Sequence, residues 1–421
     1  MPNYTWLKAK ITILIIYIIL SIIFEQFYRK PLFKKSIELE SKLYLSTTEN
    51  QIKIFKLISK LGTQGTLIPL LITILILFPL NISYTFASVI VLSSYYDNIL
   101  KLSYGSPRPF WINPSIKRSC DGGFGNPSGH SFSSFAIYLS LWDIITNLNY
   151  FNRKKYLKIA LLIFFILFSF CIAISRIFLS VHSINQIIYG SILGFGMYFY
   201  FFHIIELQKF TGKKFTKYII GSFENKIHSI KFCIYFIILF ALFLLRKNKW
   251  EEFDEIIKKE CSHLPLYRKF NNDGFFIGLV LFLLIGAHYG LYYLFITSQI
   301  YRPFKEEQIN KWSLFENWKN LILKILIFIP HSIPMIIYIL IPNNTPLYIL
   351  FPFKVIIPYT LSGFCFFGVY IIMCIKLKVA YQNIYINYRI GSETYNNQHS
   401  SNDIEVEVKI EDSSMNKNEK I

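Results

Sequence analysis

LKIALLIFFILFSFCIAISRIFLSVH, residues 157–182, decides the fold class of this chain. Through Ser175 it carries a single charge, Lys158, in an otherwise greasy run. That is the length and composition of a helix crossing a bilayer. Directly at its end stand Ser175-Arg176 and, six residues after the arginine, His182. Polar chemistry is thus placed where an apolar helix leaves the membrane.

Working outward, similar runs recur along all but the last part of the sequence. They predict spans near residues 11–28, 65–82, 84–102, 131–148, 157–175, 183–206, 228–246, 275–298, 320–341 and 350–375. The fold class expected is an all-α, polytopic membrane bundle of about ten spans. The run from Ile11 to Phe27 is too long for a signal-peptide core and lacks a small-residue cleavage site, so it reads as a retained span. Composition agrees: 53% of the 421 residues are hydrophobic, only 16% are charged, and the mean hydropathy is +0.40. A soluble multidomain protein is excluded. The net charge of +19 does not indicate nucleic acid, because the Lys and Arg lie in loops and at span ends, where they meet anionic lipid headgroups.

Spans through residue 206 form a catalytic core of about six helices. Residues 207–376 add about four more, with no recognisable chemistry. From 377 to 421 the chain is polar and reads as a disordered tail. With an even number of spans both termini share a side, expected to be cytosolic, and the motif-bearing loops face the lumen or the cell exterior. Arg153, Lys154, Lys155 and the Lys209–Lys217 loop support this, the basic stretch Arg29–Lys60 opposes it, and a sequon at Asn343-Asn344-Thr345 falls on the motif side. The expected setting is the endoplasmic reticulum or plasma membrane. Cys120 and Cys261 fall in loops on one face, so a disulfide between them is open; no Cys/His metal spacing occurs.

Three short segments hold the groups that phosphate-ester hydrolysis needs. In KLSYGSPRP, Lys101 ends a span and Arg108 follows on a Gly/Pro-rich turn; Arg176 ends another span. Three cations would neutralise phosphate oxygens as the transferring group becomes trigonal. Each alone reads as a basic residue snorkelling at a span end. Asp97, four residues before Lys101, is expected to pair with it and aim it. Pro127-Ser128-Gly129-His130 opens a span, and a helix start presents unpaired N–H groups to an anion. Ser128 is expected to cap that helix and touch phosphate, Gly129 to let backbone approach the ligand, and His130 to protonate a leaving oxygen. His182 stands where it could attack phosphorus, provided an acceptor fixes its tautomer. Gln186, one turn on, is that acceptor. The other histidines, at 203, 228, 263, 288, 331 and 399, read as interfacial or structural, and Glu25 as sitting at an interface.

Lys101-x6-Arg108-Pro109, Pro127-Ser128-Gly129-His130 and Ser175-Arg176-x5-His182 together resemble the tripartite signature of the type 2 phosphatidic acid phosphatase superfamily. That superfamily contains lipid phosphate phosphatases, glucose-6-phosphatase, bacterial acid phosphatases and vanadium haloperoxidases. The resemblance implies that Lys101, Arg108, Arg176, Ser128 and Gly129 bind phosphate, that His130 is the general acid and His182 the nucleophile. It implies no cofactor and no metal in the phosphatase members. Most members place Asp four residues after the nucleophile; Gln186 instead resembles the glucose-6-phosphatase branch, as do Phe110-Trp111 and Cys120 before the Gly-rich approach.

The function expected is a membrane phosphatase acting on a phosphomonoester through phosphohistidine, with a lipid phosphate favoured over a sugar phosphate or other small phosphorylated metabolite. The alternative of another class is a catalytically inactive, lipid-binding membrane protein of the same fold. A transporter is disfavoured by the sparse intramembrane charge (Glu25, Asp97, Asp143).

Overall fold

The computed structural model describes residues 4–151, 153–210, 212–245, 251–261, 270–297, 318–342 and 345–377. They are helical, with no β-strand among the described residues, and lie within one compact unit, Met1–Tyr388. In chain order the helices are α1 (Tyr4–Ser46), α2 (Glu49–Lys60), α3 (Gln64–Leu77), α4 (Leu80–Tyr104), α5 (Pro109–Ile112), α6 (Gly129–Thr146), α7 (Lys155–Phe178) and α8 (Ile184–Phe199). There follow α9 (Gly212–Glu224), α10 (Ile227–Leu245), α11 (Glu251–Glu260), α12 (Phe270–Gly278), α13 (Leu281–Thr297), α14 (Trp318–His331) and α15 (Ile333–Leu340). The last described stretch holds α16 (Leu347–Leu350), α17 (Ile357–Phe364) and α18 (Tyr370–Lys376), joined by π-helical turns. Asn343, Asn344, His263, His399 and residues 378–421 lie outside the described residues.

Among the described residues seven helical stretches are long and apolar enough to cross a membrane, including Trp6–Ser46, Lys155–Phe178 and Ile184–Lys209. The sequence reading had also placed spans on α4 and α6. Both are polar, enclosed helices of the bundle: α4 buries Asp97, Asn98 and Lys101, and α6 buries Ser131, Ser133, Ser134 and Ser140. A helix surrounded by other helices need not be uniformly apolar, because protein rather than lipid meets its polar groups.

Helix α6 packs against α4, α7 and α8, and α8 packs on α1. The α6–α8 contact is backbone to backbone. A Cβ at Gly190 would lie 2.5 Å from the Ser128 carbonyl oxygen, and one at Gly194 would lie 2.4 Å from that of Phe132. Close approach of these two helices brings the Pro-Ser-Gly-His segment beside the start of α8, where His182 stands.

The basic stretch Arg29–Lys60 is helical rather than a loop. Helix α1 continues through Pro31 to Ser46, and α2 begins at once behind a Thr48–Gln51 capping box. At ~1.5 Å per residue α1 is about 65 Å long, more than twice the hydrocarbon thickness. Ser21, Glu25, Ser36 and Glu40 are all buried, and separations of four and eleven residues keep them on one face. From that face Glu25 accepts from Asn126 and Ser36 accepts from the Ile184 N–H, so it supports the segments that carry the motifs.

The later helices also reach those loops. Cys120 and Cys261 form a disulfide, with Cα atoms 5.8 Å apart. Beside it Lys117 Nζ lies 2.9 Å from Glu260, and the Trp111 ring lies 5.8 Å from that of Phe253 on α11. A second polar group sits where α4, α9, α10 and α13 meet: His228 and His288 stack with ring centroids 4.1 Å apart, bonded to Tyr218, Ser222 and Tyr84.

Candidate active site

Helix α4 ends where Gly105 takes the left-handed conformation (φ 56°) and its N–H bonds to Lys101 O at 2.9 Å. Lys101 therefore projects from the last turn, and its ammonium donates to Asp97 Oδ2 at 2.7 Å, as the four-residue spacing predicted. Both side chains crowd the start of α6. A Cβ on Gly129 would fall 2.5 Å from Asp97 Oδ2 and 3.0 Å from Lys101 Nζ. The glycine admits this ion pair to the helix N-terminus, which is the close approach it is needed for.

Arg108 is held along its whole guanidinium. Its Nε donates to Gly123 O at 2.6 Å, and one terminal nitrogen donates to Val181 O at 3.0 Å and lies 3.1 Å from His182 Nε2. A guanidinium nitrogen only donates, so Nε2 of His182 is the acceptor and carries the lone pair. The other ring nitrogen agrees: Nδ1 faces Gly125 O at 2.9 Å and Gln186 Oε1 at 3.1 Å, both acceptors. The tautomer follows from its neighbours: Nδ1 is protonated and Nε2 is free to attack. Ser180, in the left-handed region (φ 55°), and the Val181 N–H to Arg176 O bond close α7 and turn His182 inward.

Gln186 joins all three motifs. Its Nε2 donates to Pro107 O at 2.9 Å, which fixes the amide so that Oε1 faces His182. Its backbone carbonyl accepts from Ser128 N at 2.9 Å and so anchors the Pro-Ser-Gly-His segment. Ser128 occupies the N-cap position of α6 but makes no side-chain cap bond, contrary to expectation; its hydroxyl accepts from Ser131 at 3.0 Å instead. That leaves the Ser128 hydroxyl proton directed elsewhere.

His130 Nε2 and Arg176 Nε are buried with no hydrogen-bond partner among the described residues. Buried polar atoms are ordinarily satisfied, and orphans mark places where a ligand supplies the missing partner. Burial, and then Arg176, hold the His130 imidazole well below its usual pKa. Burial, and then Arg108 and Arg176, do the same for His182. Both rings are neutral at pH 7 in the free protein. For a nucleophile this is the reactive form; for a proton donor it requires a bound anion to bring the proton.

Sequence reasoning missed Asp121. Its Oδ2 accepts from Arg108 at 3.4 Å and from a terminal nitrogen of Arg176 in a shorter bond. Although burial opposes the charge, the two guanidiniums hold its carboxyl far below the usual carboxylate range. The signal was an acid directly after Cys120 in CDGGFGNPSGH. Ser59, at the end of α2, accepts from the other terminal nitrogen of Arg176 and was likewise unseen. Glu25 is a correction. It is fully buried rather than at an interface, and its carboxylate accepts from Asn126 at 2.9 Å, just before Pro127. Among the described residues no group of three or more His, Cys, Asp or Glu is placed to hold a metal ion.

Residues 80–210 match the PAP2 superfamily. Over 128 residues the chain is 28% identical to dolichyldiphosphatase of Saccharomyces cerevisiae, a match covering 28% of this chain and 50% of that protein. The chain thus spans about half the length of this curated relative. Among solved structures it is similar to the transmembrane PAP2 type phosphatidylglycerolphosphate phosphatase from Bacillus subtilis, with TM-score 0.40 and 18% identity, covering 46% of this chain and 96% of that one.

Proposed function

From the PAP2 match of residues 80–210 and the site around His182, we propose that the protein is a membrane-embedded phosphatase that hydrolyses a lipid phosphate. The observation that carries this reading is the unprotonated Nε2 of His182 beside Arg108, within a cluster of three cations. Lys101, Arg108 and Arg176, with the start of α6 and Ser128, hold the phosphoryl oxygens. His182 Nε2 attacks phosphorus as the ester P–O bond breaks, giving an N–P bond, and the departing oxygen takes its proton from His130. The dianionic phosphate beside His130 raises that imidazole's pKa and supplies the protonated form. Water then attacks phosphorus, the P–N bond breaks, and His130 takes the water proton. Gln186 Oε1 accepts a hydrogen bond from the Nδ1–H of His182 throughout and holds the ring in register.

A lipid substrate is supported by α7. Its residues Ile163, Phe164, Leu167, Phe170 and Ile174 are exposed and give the helix an apolar, lipid-facing side, while its opposite, buried side carries Arg176 in the last turn. The relative's name, dolichyldiphosphatase, favours a long isoprenyl diphosphate as one candidate. A sugar phosphate is the second reading, favoured by Gln186 in place of the usual aspartate. The disulfide next to the site supports a lumenal or extracellular catalytic face, since such bonds persist in oxidising compartments. On this reading residues 1–206 are the catalytic unit and the later helices brace its loops.

Phosphate release by purified protein tests this, using phosphatidate, isoprenyl mono- and diphosphates, a sphingoid-base phosphate and glucose 6-phosphate. The lipids should be turned over, glucose 6-phosphate should not, and His182→Ala should release none. Full activity in His182→Ala would overturn the mechanism.

A further inference from the structure

Asp121 places a carboxylate among the groups that bind phosphate. The same terminal nitrogen of Arg108 bonds to Asp121 Oδ2 at 3.4 Å and lies 3.1 Å from His182 Nε2. The carboxylate oxygen and the attacking nitrogen therefore share one guanidinium corner. A phosphoryl group attacked by Nε2 must put an oxygen at that corner. Arg176 converges on the same carboxylate oxygen.

Asp121 is also on the accessible side of both arginines. Its side chain is 24% exposed, against 4% and 5% for Arg108 and Arg176. Arg108 does not depend on it for its placement. Arg108 is tied to the carbonyls of Gly123, Phe124 and Val181, and Arg176 to Ser59. The segment carrying Asp121 is irregular from Lys117 to Ser128, with Gly122 and Gly123 immediately after the aspartate. Cys120, the residue before it, is fixed to Cys261, so the loop is pinned on one side of Asp121.

We propose that Asp121 is a built-in anion that occupies the phosphate position of the free protein and is displaced by the substrate's phosphate. This rests on the phosphatase reading of the same site and names what sets its selectivity. A terminal phosphate with two negative charges replaces a single carboxylate at two guanidiniums, whereas a phosphodiester with one charge does so poorly. The carboxylate thereby selects terminal phosphates and resists occupation by weaker anions such as lipid headgroup diesters, which are abundant at a membrane surface.

The test is anion binding, measured apart from turnover. The purified full-length protein in nanodiscs is titrated calorimetrically with inorganic phosphate and with orthovanadate, alongside Asp121→Asn. Removing the competing charge should tighten binding of both anions on the order of tenfold. Inhibition by diester lipids, negligible in the wild type, should become measurable in the variant. Unchanged or weaker anion binding in Asp121→Asn would overturn the proposal and make Asp121 a brace for Arg176. Should Asp121→Asn fail to fold, Asp121→Ser is read in the same way; failure of both to fold also makes Asp121 a brace and overturns it. If the wild type and Asp121→Asn both bind neither anion, the phosphatase reading itself falls, which is a distinct outcome.

Discussion

Two histidine pairs among the described residues differ in what surrounds them. His228 and His288 stack on each other and bond to neutral hydroxyls: Tyr218 on the first, Ser222 and Tyr84 on the second. No cation in that group faces an unmet donor or acceptor. His130 and His182 instead lie among Lys101, Arg108, Arg176 and Asp121, and His130 Nε2 has no partner. Burial alone does not make a histidine chemical. Fixed charge combined with an unfilled hydrogen bond does, because such a site is complete only when a charged ligand arrives.

The largest expected break in this comparison is at the proposed proton donor. His130→Ala should lower kcat by roughly 10²–10⁴-fold, the range of a positioned acid–base group, and leave phosphoenzyme detectable by rapid-quench labelling. His288→Ala, at a more deeply buried ring, should leave kcat within a few-fold while costing about 1–3 kcal/mol of stability in a denaturation assay. Comparable kinetic losses in the two variants would erase the distinction.

A smaller effect is expected where the two halves meet. Cys120→Ser with Cys261→Ser should lower stability by about 2–4 kcal/mol, seen as a drop in the thermal midpoint. If the later helices brace the catalytic loop, KM for the preferred substrate should change with it, because Asp121 adjoins the bond. A fall in the midpoint with KM unchanged would reduce the disulfide to a fastener.

The smallest effect is the pH dependence of stability. The folded-state pKa values of His130 and His182 lie below their ordinary value of about 6.5, so the unfolded chain binds protons that the folded one does not. Their contribution to stability is complete above about pH 6.5 and is lost as pH falls below it. The thermal midpoint should decline between about pH 7 and 5, and His130→Gln with His182→Gln should flatten that slope. An unaltered slope would place the titration elsewhere.

Much of the site was legible because local spacing reported it. Asp97 and Lys101, and His182 and Gln186, are each four residues apart on a helix, and both contacts form as the spacing requires. Asp121 was not legible, because its partner Arg176 is 55 positions away and arrives from a different helix. Nor was Glu25, which meets Asn126 across 101 positions only because α1 lies along α8 and runs on past the membrane. Ser128 shows the opposite failure: the N-cap position was foreseen, but its hydroxyl engages Ser131 instead of the helix.

By itself the sequence determined the all-α membrane class and the identity of the five charged and imidazole groups, since apolar run length and motif spacing are local properties. Only the tertiary structure decided the tautomer of His182, the bridging of three motifs by Gln186, the disulfide between distant loops and the carboxylate between two arginines. Each depends on which carbonyl or side chain from a remote helix faces a given nitrogen, and helix packing alone sets that.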